Sequence, residues 1–393
     1  MAVLGPNGRS SPRSVSPVMS SEFSIREISS KRDISRFVRF PERLYRESSQ
    51  WVPPLRSSEK RSLLSSAPSR YCKLKMWVVE DRKGIIQGRI AGMINPRYND
   101  LYSTKRARFG WFDTINNPKV SSLLFEAAER WAASEGMTEI HGPLYFNTLG
   151  RQGMLVEGFE NRPVFNCLYN YPYYKDLVEA AGYRKELDWL EYKIPMVYDV
   201  PERIGRVSSS LMGRYGLHEG SIDSLKKNPS MVRKFFKAYS DSFEGNVRNF
   251  IPFTEEEMDE EAASIIPFVS DRFSTVIMDK DDNPVAFGIA IPDLSEAFQK
   301  ARGSLFPFGW FYLLKALKGG ETVDLMINGA VPAWQGKGVS SLYHISLIEK
   351  FRKAGVLYGL SNPQIETGEA VRVWEKYPHT LYMRRRCYIK SII

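Results

Sequence analysis

Apolar residues recur along this chain with two spacings, every second residue in some stretches and every third or fourth residue in others. The first spacing is typical of strands and the second of helices. The clearest helical stripe covers residues 120–132, with Asn117 placed as its N-cap and Gly136 where it should end. Strand-like runs lie on either side, at residues 107–113 and 137–141. This region therefore predicts a strand-helix-strand unit with parallel strands.

The same order of elements occurs in both halves of the chain: a hairpin, a third strand, a helix, a fourth strand, a second helix and a closing strand. The strand-like runs are residues 76–80, 85–93, 107–113, 137–141 and 189–194, then 274–278, 285–292, 323–327, 356–360 and 381–389. We predict an α/β protein with a mixed sheet, built from two copies of one fold in residues 23–195 and 196–393. Residues 1–22 are rich in Pro, Ser and Gly and predict a disordered tail.

Composition indicates an ordinary soluble globular protein, since 43% of the 393 residues are hydrophobic and 25% are charged. No apolar run approaches the roughly eighteen residues of a membrane span. Cys72, Cys167 and Cys387 are far apart and match neither a zinc spacing nor a disulfide framework. We therefore expect a reducing compartment, the cytoplasm, and no metal site. Residues 303–318 are rich in Phe, Trp and Leu and predict an amphipathic insert, either packed or lining a groove.

Residues 323–340 combine the features of an anion site. An apolar run of strand length leads to a glycine-containing turn, and a helical pattern follows over residues 342–351. The turn consists of Gln335, Gly336, Lys337, Gly338, Val339 and Ser340. Glycines let backbone N–H groups converge, and a helix N-terminus adds partial positive charge. The predicted ligand is a phosphate or pyrophosphate, although the spacing matches neither a dinucleotide fingerprint nor a P-loop.

This turn resembles the acyl-CoA-binding loop of the GNAT acetyltransferase superfamily, whose pattern is Arg/Gln-x-x-Gly-x-Gly/Ala after a strand. Residues 283–288 are similar to the hairpin of that family, and residues 367–376 to its Asn-x-x-Ala-x-x-x-Tyr-Glu-Lys string. The first unit is similar to the N-terminal half of uncharacterised bacterial tandem GNAT-like proteins. The matching strings there are residues 51–54, 109–112, 142–143, 158–159 and 169–174.

The resemblance implies two tandem GNAT-like domains that use acetyl-CoA or a longer acyl-CoA. Residues 335–340 would hold the pyrophosphate, and a backbone N–H of Ala330 or Val331 would polarise the thioester carbonyl. The first unit has Asn-Asn-Pro-Lys at residues 116–119 in place of a glycine pair, so we expect this copy to be degenerate. Trp374 replaces the tyrosine that often protonates the leaving thiolate, and Trp cannot act as an acid near neutral pH.

Two carboxylates are candidates for the general base that removes a proton from the acceptor amine. Asp324 lies in the strand before the loop, on the side of Met326 and Asn328 if the strand alternates regularly. Glu366 follows the next strand. Each has a plainer interpretation as a capping or edge carboxylate. The candidate substrate residues are Tyr169, Asn170, Tyr173 and Tyr174, which either line an acceptor pocket or pack in the core.

A formal net charge of +10 suits a polyanionic ligand such as coenzyme A, but equally tRNA, other nucleic acid or an acidic membrane surface. The densest basic cluster, Arg384 to Arg386, lies in a predicted strand that would send it to both faces. We predict an acyl-CoA-dependent N-acyltransferase that acts on a small-molecule amine. The alternatives are a FemABX-like aminoacyl transferase that uses tRNA and a non-catalytic acyl-CoA-binding protein.

Overall fold

A computed structural model describes residues 22–147, 150–196, 202–244, 250–368, 371 and 378–392. Most of the predicted tail lies outside the described residues, as do Trp374 and residues 197–201 of the linker that we predict at residues 195–201. No helix within the described ranges is both long enough and apolar enough to cross a bilayer.

The strands of the described residues form one mixed sheet. They are β1 (Phe23–Ile28), β2 (Lys73–Asp81), β3 (Ile86–Ile94), β4 (Arg106–Thr114), β5 (Glu139–Gly142), β6 (Met154–Glu157), β7 (Arg184–Pro195), β8 (His218–Gly220), β9 (Thr275–Met278), β10 (Pro284–Pro292), β11 (Thr322–Ala330), β12 (Tyr358–Ser361), β13 (Gln364–Ile365) and β14 (Thr380–Ser391). The predicted mixed α/β architecture is confirmed.

Helices cover both faces of this sheet. They are α1 (Lys31–Leu44), α2 (Arg56–Leu64), α3 (Ala67–Tyr71), α4 (Pro96–Tyr102), α5 (Pro118–Ser134), α6 (Tyr174–Ala180), α7 (Glu202–Tyr215), α8 (Ile222–Leu225), α9 (Pro229–Phe243), α10 (Glu255–Ile265), α11 (Ser295–Ala301), α12 (Gly309–Ala316) and α13 (Val339–Ala354). The Asn117 side chain caps α5 as predicted, because it accepts a hydrogen bond from the Lys119 amide.

The sheet passes through both halves of the chain without a break. Its order is β1-β2-β3-β4-β5-β14-β7-β12-β11-β10-β9-β8, with β6 beside β14 and β13 beside β7. The closing strands are therefore exchanged: β14, from the second half, lies next to β5 of the first, and β7, from the first half, lies next to β12 of the second. Each half completes its sheet with a strand from the other.

The two halves place a glycine under their principal helix in the same way. A Cβ at Gly88 of β3 would lie 2.8 Å from side-chain atoms of Leu124 and Val120 in α5. A Cβ at Gly288 of β10 would lie 2.6 Å from Leu347 Cδ1 in α13. Because a side chain would push each helix off its strand, glycine allows the close approach in both halves. This correspondence supports the predicted duplication.

Candidate functional site

The two parallel strands that flank the predicted acyl-CoA loop separate part-way along their length. β11 and β12 pair from Thr322 opposite Tyr358 to Leu325 opposite Ser361. β11 then continues to Ala330, paired with β10 alone. One edge of its second half is consequently unpaired. An unpaired strand edge presents N–H and C=O groups to which an extended ligand can bind as an added strand.

A β-bulge lies where the strands separate. Ile289 and Ala290 of β10 pair with Ile327 and Leu325 of β11, which leaves Met326 without an opposite residue. A bulge bends its strand and increases the local twist, so it accounts for the divergence of β11 from β12. It also interrupts the regular alternation on which we predicted that Asp324 shares a side with Asn328.

The unpaired edge carries the amide of Ala330 but not that of Val331. The Val331 amide donates to the Val285 carbonyl of the preceding hairpin at 2.9 Å. Successive amides of an antiparallel strand point to opposite sides, so those of Ala330 and Asn328 face the open edge. Of the two amides predicted to polarise a thioester carbonyl, that of Val331 is already occupied, whereas that of Ala330 faces the open edge.

The loop after β11 exposes a set of free backbone donors. Among the turn, loop and cap hydrogen bonds of the described residues, none has the amide of Gly336, Gly338, Val339 or Ser340 as its donor, and the last two lie in the first turn of α13, where amides have no acceptor within the helix. All of these residues except Val339 are exposed to solvent. Gly336 and Gly338 have φ angles of 72° and 81°, in the left-handed region that favours glycine. The loop therefore presents unpaired N–H groups in a conformation that its glycines permit.

Side-chain contacts fix the loop to the end of β11 and to α7. The Gln335 side-chain amide donates to the Ala330 carbonyl at 2.9 Å, which ties the loop to the end of β11. The Lys337 ammonium lies 5.0 Å from the centre of the Trp334 ring, and Trp334 packs edge-on against Tyr215 of α7. Lys337 is exposed, so its charge is available to a ligand.

Helix α13 begins directly after the loop. It has 16 residues, its N-cap is Gly338, and its first turn contains no acidic side chain and no side-chain cap. The positive end of its dipole therefore faces the exposed amides without a competing group. The loop, the helix N-terminus and Lys337 together offer N–H donors and positive charge of the kind that a diphosphate requires.

In the first half, the equivalent strand edge and the equivalent helix N-terminus are both occupied among the described residues. The edge of β4 beyond its last parallel pair is filled, because the Leu144 amide donates to the Phe109 carbonyl at 2.9 Å. The N-terminus of α5 is capped by its own Asn117 side chain. Among the described residues, these contacts occupy the first position of β4 beyond its parallel pairs and cap the helix that follows.

Asp324 is completely buried, and neither of its carboxylate oxygens has a hydrogen-bond partner among the described residues. Burial raises the pKa of Asp324 well above its usual range, and the nearby acids Asp293 and Glu191 add to the shift while Arg162 opposes it. A carboxyl group with a raised pKa is suited to general acid-base chemistry near neutral pH.

Sequence reasoning missed an ion pair close to Asp324. Glu191 of β7 and Arg385 of β14 are buried and bonded to each other through Arg385 Nε. Arg385 also donates to the Leu168 carbonyl, and Glu191 Oε2 has no partner among the described residues. Burial raises the pKa of Glu191, although Arg385 opposes the shift. The alternation predicted for the basic cluster is observed, since Arg386 points the other way, to Asp188 at 2.8 Å.

Glu366, the second candidate base, is engaged elsewhere. Its carboxylate accepts from the Lys185 ammonium at 2.8 Å and from the Asp188 amide at 3.2 Å. Its lone pairs therefore hold the end of β13 to β7. This placement matches the plainer interpretation, a carboxylate at the edge of the sheet.

The four predicted substrate residues belong to the first half and bond within it. Asn170 accepts from the Leu155 amide and donates to the Leu155 carbonyl, and the Tyr173 hydroxyl donates to the Thr114 carbonyl. The Tyr174 hydroxyl accepts from the Thr114 amide and shares a hydrogen bond with Tyr45. Tyr169, Tyr173 and Tyr174 pack on the core of the first half. The structure does not place their polar groups beside the loop, and the packing interpretation fits them.

Two curated proteins are similar over most of the chain, and no protein-family model matches it. Protein YghO of Escherichia coli (strain K12) is 28% identical over 334 residues, 84% of this chain and 84% of its own length. Bacterial ceramide synthase of Caulobacter vibrioides (strain NA1000 / CB15N) is 24% identical over 388 residues, 94% of this chain and 98% of its own length.

Solved structures share the fold at low sequence identity. A tandem GNAT protein from the clavulanic acid biosynthesis pathway has a TM-score of 0.54 and 11% identity over 95% of this chain and 99% of its own. A GCN5-related N-acetyltransferase from Sphaerobacter thermophilus has a TM-score of 0.52 and 12% identity over 95% and 97%. The glucosamine N-acetyltransferase region of a fungal multi-domain β-N-acetylglucosaminidase has a TM-score of 0.58 and 14% identity over 96% of this chain, which spans 39% of that protein. This chain therefore has the tandem fold of the GCN5-related N-acetyltransferase superfamily, as its motifs had predicted.

Proposed function

We propose that this protein is an acyl-CoA-dependent N-acyltransferase whose donor site lies in the second half of the chain. The observation that carries the proposal is the conjunction of the unpaired β11 edge with the free amides of Gly336, Gly338, Val339 and Ser340. The loop would bind the pyrophosphate of coenzyme A, and the pantetheine arm would run along the open edge towards Asp324. Lys337 would add a counter-charge at the loop.

The reaction then follows from the groups along β11. The acceptor nitrogen attacks the thioester carbonyl, an N–C bond forms, and the C–S bond breaks to release the coenzyme A thiolate. A backbone N–H on the open edge, that of Ala330 or Asn328, stabilises the negative charge on the carbonyl oxygen. Asp324 accepts the proton of the amine, and a proton from solvent or another side chain neutralises the thiolate. Because Asp324 is buried, the amine must leave water to reach it, which also favours its neutral, nucleophilic form.

A long-chain amino alcohol is the acceptor that we propose, with a long-chain acyl-CoA as the donor. The similarity to bacterial ceramide synthase, over nearly the full length of both chains, supports this choice. A ceramide is the amide of a fatty acid and a long-chain amino alcohol, so its synthesis is an N-acylation of the kind that the site suits. We place the activity in the cytoplasm, in keeping with the free, buried thiols of Cys72, Cys167 and Cys387.

An assay with the purified full-length protein tests both N-acyl transfer itself and the proposed long-chain substrates. The donor is palmitoyl-CoA or acetyl-CoA, and the acceptor is sphinganine or a short amine. Release of free thiol and the mass of the amide product are the readouts. We expect amide formation with the wild type and none with Gly338→Glu. Gly355→Glu is the matched control, because it puts the same charge at a similar φ of 75° at the opposite end of α13.

Each failure of this test has a distinct meaning. Product from short amines alone contradicts the lipid acceptor but leaves N-acyl transfer intact. Stabilisation by acyl-CoA without turnover of any amine would favour a non-catalytic binding protein. Protection by tRNA with a steep salt dependence, and no response to acyl-CoA, would favour an aminoacyl transferase.

A further inference from the structure

Large apolar side chains are concentrated on the surface of the insert between β10 and β11. The exposed fractions are 81% for Phe306, 69% for Phe308, 46% for Trp310, 54% for Phe311 and 55% for Leu314. Other exposed large apolar side chains of the described residues occur alone or in pairs along the sequence. Scattered exposed apolar residues are ordinary, whereas a contiguous group marks an interaction surface.

This exposure is built into helix α12. Gly309 and Leu313 are buried, and Leu313 packs into the core of the second half. Trp310, Phe311 and Leu314 lie within about 100° of the helix circumference, on the opposite side. The Trp310 indole N–H donates to the Pro307 carbonyl at 2.9 Å, so it is not available to a polar partner. One apolar face therefore anchors the helix while a second apolar face is held out in solvent.

The flanks of this apolar surface are basic. Lys300, Arg302, Lys315 and Lys318 are all exposed. In residues 295–320 the only acidic side chain is Glu296, and it pairs with Lys300. Aromatic side chains at the centre with Lys and Arg around them are typical of segments that lie in the interface of an anionic bilayer. A surface that docks a water-soluble protein partner needs no such surplus of positive charge.

We propose that residues 305–318 form a membrane-docking surface that binds a bilayer containing anionic phospholipid. Phe306, Phe308, Phe311 and Leu314 enter the headgroup region, and Lys315 and Lys318 contact lipid phosphates. The insert leaves the sheet after Pro292 and returns at Thr322, where the Asp293 amide donates to the Thr322 carbonyl at 3.1 Å. Docking thus brings the bilayer to the end of β11 that carries Asp324. If the proposed function holds, a lipid-borne amine would have a short path to that residue.

Co-sedimentation of the full-length protein with vesicles tests the surface directly. One set contains phosphatidylcholine alone and the other phosphatidylcholine with phosphatidylglycerol. We expect binding to the anionic set, and a loss of at least about tenfold in the partition coefficient for Phe306→Ser/Phe308→Ser/Phe311→Ser. Leu64→Ser/Leu101→Ser is the matched control, since those leucines are 49% and 52% exposed elsewhere. It should bind as the wild type does.

A charge variant separates the electrostatic contribution to vesicle binding from the apolar one. Lys315→Glu/Lys318→Glu should lose about tenfold or more on anionic vesicles, and added salt should reduce the wild-type partition in the same way. Circular dichroism and thermal unfolding confirm that each variant is folded, as expected for exposed positions.

Three results would overturn the proposal. The first is that the wild type stays in the supernatant with anionic vesicles. The second is that the triple variant sediments as the wild type does, and the third is that the protein binds neutral vesicles as well as anionic ones. Self-association that disappears in the triple variant, without vesicle binding, would instead assign the surface to a second copy of the chain. The assay contains no acyl-CoA, so its outcome is independent of acyl transfer.

Discussion

The pair of variants Gly338→Glu and Gly355→Glu tests whether the loop binds a diphosphate. Both glycines have left-handed φ angles, 81° and 75°, and they flank the same helix at its two ends. A Cβ at Gly338 would lie 3.3 Å from Leu211 Cδ1, and one at Gly355 would meet nothing within 4 Å. Because the two φ angles are similar, the backbone penalty of the new side chain, about 1–2 kcal/mol, should be similar in the two variants, while Leu211 must also shift slightly for a side chain at position 338.

Their effects on ligand binding should differ strongly. At Gly338 the new carboxylate would lie roughly 5 Å from a diphosphate held by the loop, and the repulsion would be about 1–3 kcal/mol for each pair of charges at an effective dielectric constant between 20 and 80. We therefore expect the Kd for acyl-CoA to rise about 10- to 100-fold, since 1.4 kcal/mol is a factor of ten. At Gly355, beside the C-terminus of α13, the Kd should remain within about twofold of the wild type.

Thermal unfolding with increasing acyl-CoA measures this difference. At a free ligand concentration about 100-fold above the wild-type Kd, linkage stabilises the wild type by about 2.7 kcal/mol. A hundredfold loss of affinity reduces that figure to about 0.4 kcal/mol. If both variants keep the full ligand-induced shift, the diphosphate does not bind at residues 335–340. If both lose it equally, the loss reflects damage to α13 and the loop assignment has no support.

Three other groups give predictions that depend on burial. Asp324→Asn should lower kcat/KM about 10²- to 10⁴-fold without changing the acyl-CoA thermal shift. It should also abolish the increase in rate with pH that accompanies deprotonation of a carboxyl group with a raised pKa. An unaltered pH profile would rule Asp324 out as the base. The raised pKa also means that Asp324 keeps its proton in the folded state above pH 3.8, so the contribution of this one group to stability falls as pH rises from there towards that pKa. Urea unfolding at pH 8 should find Asp324→Asn at least as stable as the wild type. Arg385→Met should lower the free energy of unfolding, measured in urea, by about 3–5 kcal/mol, because it leaves the buried Glu191 carboxylate without its partner. The double variant Arg385→Met/Glu191→Met should recover most of that loss. Additive losses in the double variant would mean that the two residues are not coupled. Burial lowers the pKa of His344 to about 4, so the contribution of its neutral imidazole to stability is complete above pH 6.5 and is lost, by up to about 3 kcal/mol, as the pH falls from there through 4. His344→Gln should remove this contribution to the pH dependence of unfolding, and an unchanged pH dependence would contradict the burial of the imidazole.

Local patterns in the sequence predicted the elements of the fold well, because each depends on its own residues. The apolar stripe over residues 120–132 lies within α5 (Pro118–Ser134), and the predicted strand at residues 285–292 matches β10 (Pro284–Pro292) closely. The glycines of the loop indicated converging backbone N–H groups, which depend on a few adjacent residues. These features require no knowledge of distant partners.

Pairing across the molecule was beyond the reach of such patterns. The closing strands β7 and β14 have similar alternation, so the sequence could not show that they exchange places between the halves. The bulge at Met326 was also hidden, because it depends on the register between β10 and β11. Asp324 shows the result: its strand was predicted correctly, whereas its relation to Asn328 was inferred from an alternation that the bulge interrupts.

Side chains with two plausible roles were assigned by contacts that only the fold provides. The tyrosines and the asparagine of residues 169–174 could have lined a pocket, yet their hydrogen bonds lie within the first half. Residues 303–318 were expected either to pack or to line a groove. Their actual arrangement, with one apolar face packed and another exposed, follows from the way α12 rests on the second half.

The exchange of β7 and β14 has a consequence for folding during synthesis on the ribosome. The strand that completes the sheet beside β5 is made about 240 residues after β5 itself, which at about 5–20 residues per second is a delay of roughly 10–50 s. During that interval the nascent first half displays an unsatisfied strand edge to other chains in the cell. We expect that neither half can be expressed alone in native form, and that premature stops before Thr380 would yield aggregates rather than a folded amino-terminal fragment.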